Sequence, residues 1–136
     1  MLDGQASYDL RDGDAIVGPA PFQRTELDRL MFYGIRSADE LASPEADRIM
    51  KDCSMIGMIS EGDSPVAVSC TRPDGEPLDR EDYVHHPKHA RAVAEKYRER
   101  GIEHRLTLRD ENGGDGAKAE KAVVEFLLEK LGVESK

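Results

Sequence analysis

The sequence predicts an α/β fold: a short, mostly parallel sheet with helices packed on it and a helical insertion after the first strand. Three observations predict it. The β-branched run "VAVSCT" (residues 66–71) and the alternating "EHRLTLR" (residues 103–109) read as strands. Between them "HHPKHARAVAEKYRERG" carries one apolar stripe, Ala90, Val93, Ala94 and Tyr97, at i, i+3, i+4 and i+7. After them "AKAEKAVVEFLLEKLG" repeats Ala122, Val123, Phe126, Leu127 and Leu131 at helical spacing. Strands alternating with helices of this length require right-handed crossovers, which makes adjacent strands parallel.

Taken in order, "MLDGQASYDL" opens the chain as a short strand with Gly4 inside it. The Gly- and Pro-rich "RDGDAIVGPAPFQR" (residues 11–24) reads as a loop. "TELDRLMFYGI" then starts a helix at Thr25, with Leu27, Leu30 and Met31 on one face and Gly34 as its stop. Ser37 and Glu40 form a capping box on a very short helix, and Ser43 followed by Pro44 begins another running toward Met55. The single domain thus divides into a helical insertion over 11–60 and a strand-helix-strand-helix unit over 61–136. In that second unit Pro87 opens a helix that ends at Gly101, and Gly132 caps the last one.

The bulk numbers narrow the function. A chain of 136 residues, 38% hydrophobic and 35% charged, is long enough for one modest core. Its 28 acidic and 19 basic side chains leave a net charge of -9, which repels polyanions and argues against nucleic acid as a partner. The two cysteines, Cys53 and Cys70, lack CxxC spacing and read as reduced thiols. Neither a leader pattern nor an apolar run of spanning length is visible in the text, so no membrane partner is expected and the cytoplasm is the default compartment, although a chain cut from a longer precursor would have lost its leader. No residue pattern calls for a cofactor.

One stretch links strand to chemistry. "SPVAVSCTRPD" followed by "HARAVAEKYRERGIEHRLTLRDENGG" and "AEKAVVEFLLEKLG" resembles the C-terminal half of the α/β-hydrolase fold, in its esterase and lipase branch of feruloyl-esterase-like carboxylesterases. "DGQASYD" resembles the strand that precedes this half. The resemblance implies a carboxylic-ester hydrolase working through Ser, His and Asp. Asp74 matches the triad acid, because it follows the strand 66–71. The histidine would stand in the loop after Leu108, where "RDENGGDGAK" has Gly114 at the matching position. No G-x-S-x-G elbow is present; the nearest approach, "GMISEG", puts Ser60 at the wrong spacing. In the family the elbow and the oxyanion-hole loop would lie N-terminal to Met1. The expectation is therefore a truncated, inactive member of the family, meeting a small-molecule ester only if a missing half is supplied. A non-catalytic interaction module using the sheet edge or the helices is the alternative.

Each candidate residue also has a plainer reading. Pro73-Asp74-Gly75 is ordinary turn chemistry, and without a histidine the turn is the favoured role for Asp74 in this chain. "VHHPKH" brings His85, His86 and His89 together, but HxxH without a supporting ligand set is poor evidence for zinc, so no metal is expected. The plainer expectation is that His86 caps the helix and His89 is solvated. "DENGGDG" sits between strand and helix as a phosphate loop does, yet Asp110, Glu111 and Asp115 would repel an anion. Finally, the first strand would have an edge with no partner in this chain, and open edges recruit strands, so a homodimer through it is expected.

Overall fold

A computed structural model describes residues 4–19 and 32–133 of the chain. The element order is α1 (Leu10–Ile16), α2 (Ala38–Leu41), α3 (Pro44–Asp52), α4 (Met55–Met58), β1 (Val66–Cys70), α5 (Arg80–Val84), α6 (Pro87–Glu99), β2 (His104–Leu108) and α7 (Gly116–Leu131). A single 3₁₀ turn, Asp110–Asn112, stands between β2 and α7.

β1 and β2 are adjacent and parallel, in register from Val66↔His104 to Cys70↔Leu108, as the length of the intervening helix requires. Successive side chains of a strand point to opposite faces. Val68, Cys70 and Leu108 accordingly pack with Ala90 and Val93 of α6, and Ala67 packs with Val123 and Phe126 of α7. Arg105, the register partner of Ala67, lays its guanidinium over the Phe126 ring at 5.2 Å. The two helices thus cover opposite faces, giving three layers around a two-stranded sheet. Both helices end as the sequence specifies. Gly101 and Gly132 adopt φ +68° and +66°, and the amides of Ile102 and Val133 reach back to the carbonyls of Tyr97 and Leu128 at 2.9 and 3.0 Å.

The chain departs from expectation in three places. Residues 4–9 are not a strand. Tyr8 N–H donates to the Cys53 carbonyl and Ala6 C=O accepts from Ile56 N–H, at 3.0 and 3.1 Å, and these isolated bonds make no ladder. The segment is a strap lying on the α6 face of the core, where Ala6 is buried beside Ile59 and Val68. The physical reason lies at Asp9, which is buried and accepts from Arg11 N–H at 3.0 Å, starting α1 where the strand would have continued. The open strand edge on which dimerisation was expected is therefore missing from residues 4–9. The Gly-rich stretch that follows is helical from Leu10 to Ile16 rather than a loop. Gly13 lies inside that helix because a Cβ there would come within 3.1 Å of the Tyr83 hydroxyl.

The third departure is α5, in a segment read as loop, which Asp79 caps by accepting from Asp82 N–H at 2.9 Å. The helix expected from Thr25 lies largely outside the described residues; Phe32 and Tyr33 are helical, and Gly34 at φ +68° stops them. Ser37 and Ser43 cap α2 and α3 as expected. α3 closes at Asp52, and Ser54 caps a further turn, α4. Among the described residues no helix is long and apolar enough to cross a membrane.

Candidate functional site

In open α/β sheets ligands bind beyond the carboxyl ends of the strands, so the loops after β1 and β2 are the place to look. The last rung of the ladder, Arg109 N–H to the Cys70 carbonyl at 3.0 Å, delivers both loops to the same end. There the backbone N–H of Asp74 donates to Asp110 Oδ2 at 2.7 Å, joining one loop to the other. The Asp74 carboxylate meets Arg91 of α6 at 2.7 Å, and the same guanidinium reaches Glu111 at 3.5 Å. Arg91 holds the Asp74 carboxyl below the usual carboxylate range, against a weaker opposing effect of burial. Asp74 is thus a half-exposed, fully ionised group whose partner is a guanidinium rather than an imidazole.

The turn around Asp74 is fastened a second time. His86, buried at the start of α6, accepts from Lys88 N–H at its Nδ1 and so carries its proton on Nε2, which donates to the Gly75 carbonyl at 2.8 Å. Its capping role is as expected. His89 is different: it is 1% exposed, not solvated. Its Nδ1 accepts from Ala6 N–H at 3.4 Å and its Nε2 donates to the Tyr83 carbonyl at 3.2 Å. Burial, with the nearby charges of His86 and His85 adding to it, pushes its pKa down to about 4, although the bond to Tyr83 works the other way. His86 and His89 therefore point apart, and among the described residues no three metal-ligating side chains converge.

The remaining candidates are also placed. Ser60 lies in an exposed turn, its N–H and Oγ both bonded to the Asp63 carboxylate at 2.9 and 3.3 Å, with no strand before it. Cys53 and Cys70 are free thiols, and the Cys70 Sγ–H donates to the His85 carbonyl at 3.2 Å. Gly114, at φ +80°, occupies a left-handed turn whose N–H bonds the Arg109 carbonyl at 2.9 Å. The acidic loop does carry Asp110 and Glu111, but both are spent on Asp74 and Arg91.

Sequence reasoning missed Arg91 and the burial of His89. Arg91 follows Asp74 by 17 positions and gives no local signal; only the parallel crossover brings its helix over the loop. His89 falls on the helical stripe with Ala90 and Val93, which was the signal that it could be buried. Comparison with protein-family models, with curated proteins and with solved structures finds no match to this chain.

Proposed function

We propose that this chain is the C-terminal part of an esterase-type α/β-hydrolase sheet, a carboxylic-ester hydrolase by descent that does not hydrolyse esters by itself. The observation that supports it is the pairing of β1 and β2 in parallel through α6, with α7 on the opposite face and Asp74 in the loop beyond β1. In this reading Asp74 stands at the acid's position. The loop after β2, where its histidine belongs, offers Asp110, Glu111 and Gly114 instead. A carboxylate orients and charge-stabilises an imidazole; a carboxylate held by Arg91 has no such proton to manage. The nucleophile and oxyanion donors have no counterpart in the sequence, so the chemistry lacks its attacking atom as well as its base.

The test has two readouts. The purified chain should hydrolyse p-nitrophenyl butyrate no faster than buffer, and activity that vanishes in Ser60→Ala would refute the reading. The coding sequence upstream of Met1 should contain an in-frame G-x-S-x-G segment; a functional start at Met1 with no such segment favours the second reading. That second reading is a non-catalytic interaction module, and a specific feature favours it. Along α7 the side chains of Val124, Leu127 and Leu131 are 52%, 42% and 74% exposed, an apolar stripe beside the buried one.

A further inference from the structure

A cleft of about 290 Å³ opens on the side of the core away from α7, between the strap 4–9, α4, the turn after it and α6. Its walls are apolar. Ile59 and Val93 form a buried floor, Ile56 stands half-buried, and Met58, 60% exposed, forms a movable lip. Its polar lining comes from Gln5, Asp63 and Tyr97. Asp63 is exposed, its two carboxylate oxygens accept from Ser60 N–H and Oγ–H, and among the described residues no cation lies within ion-pair range of it. The Tyr97 hydroxyl has no hydrogen-bond partner among them either. Burial first, and then the negative charge of Asp63, raise the Tyr97 pKa, which places that charge close to the phenol.

We infer that this cleft binds a small organic amine with an apolar or aromatic body. The body would fill the space over Ile59 and Val93, and the ammonium would sit between the Asp63 carboxylate and the Tyr97 oxygen, donating to both. The volume lies at the small end of ligand pockets, which run from about 300 to 1,000 Å³. A net charge of -9 favours approach of a cation and opposes that of an anion of the same shape. The site is remote from Asp74 and does not rest on the hydrolase reading.

The probes are 4-phenylbutylamine, 4-phenylbutanol and 4-phenylbutyrate, titrated into the full chain at pH 7 and followed by NMR at the Met58 methyl and the Val93 and Tyr97 signals. The amine should give saturable shifts there and bind about tenfold more tightly than the carboxylate, with the alcohol between them, and 0.5 M salt should narrow the gap. Asp63→Asn keeps an oxygen for Ser60 N–H and should abolish the preference for the amine. Tyr97→Phe keeps the wall and should weaken the amine about threefold, the size of one modest hydrogen bond. Equal binding of amine and carboxylate, shifts confined elsewhere, no saturation up to the amine's solubility, or an amine preference surviving in Asp63→Asn would each overturn the assignment.

Discussion

Acid should destabilise this fold earlier than its carboxylates can explain, and His89 is the reason. The ring is 1% exposed, with both nitrogens committed: Nδ1 to Ala6 N–H, Nε2–H to the Tyr83 carbonyl. Protonation puts a second N–H against that of Ala6, in a site that His85 and His86 also face. The folded pKa, about 4, lies below the ordinary 6.5, so the unfolded chain binds the proton more readily. The contribution is whole above pH 6.5 and is lost as pH falls toward 4. Integrating between those values gives about 2 kcal/mol lost from pH 7 to pH 5, and on the order of 3 kcal/mol once pH is below 4. Asp9 and Asp74 also have lowered pKa values, but theirs start from 3.8 and act only in stronger acid. Urea unfolding at pH 7 and pH 5 measures the difference. His89→Gln, which titrates nothing, should be weaker than the parent at pH 7 and should lose far less between the two pH values. An identical loss in parent and variant, or an NMR titration of His89 near 6.5, would refute the argument.

Two further outcomes follow from the same geometry. Arg91→Met frees the Asp74 and Glu111 carboxylates; because these side chains are half exposed, stability should fall by less than about 1 kcal/mol, while amide exchange at 110–114 rises severalfold. Asp115 accepts from both Ala117 N–H and Lys118 N–H, so Asp115→Ala should cost about 1 kcal/mol and lower Tm by several degrees in a thermal melt.

The elements β1, α6, β2 and α7 were legible in the sequence because several local signals there agree. The 3.6-residue stripes, Pro87 at a first turn, Gly101 and Gly132 at the ends and the β-branched runs all name the same elements, and β1, α6, β2 and α7 stand within a residue or two of where those signals put them. The N-terminal segment, residues 4–16, was not legible because its signals conflict. "DGQASYD" alternates too briefly to specify a strand, and Asp9 is as good a helix cap as a strand terminus. The choice falls to tertiary contacts: the core takes Ala6, and Tyr33 Oη–H donates to the Tyr8 carbonyl at 2.9 Å from far along the chain. α1 likewise brings Gly13 close to the Tyr83 ring, 70 positions away.

The candidate site divides along the same line. Asp74 could be found because strand, turn and carboxylate are contiguous in sequence. What the carboxylate does could not be, because the groups around it arrive by different routes: Arg91, its ion-pair partner, on the crossover helix, and Asp110 and Glu111, which hold the Asp74 amide and Arg91, on the loop beyond the second strand. A triad acid and an ion-paired turn share the same local text, "RPDGEP", and differ only in what the neighbouring parallel strand carries past its end. That neighbour ends in "RDENGG", whose acids bind the turn's amide and its arginine, while the imidazole near the turn, that of His86, gives its Nε2–H to the Gly75 carbonyl rather than to the carboxylate. The loop after β2, more than Asp74 itself, thus sets what this turn binds: its two acids hold the Asp74 amide and the Arg91 guanidinium that the Asp74 carboxylate shares.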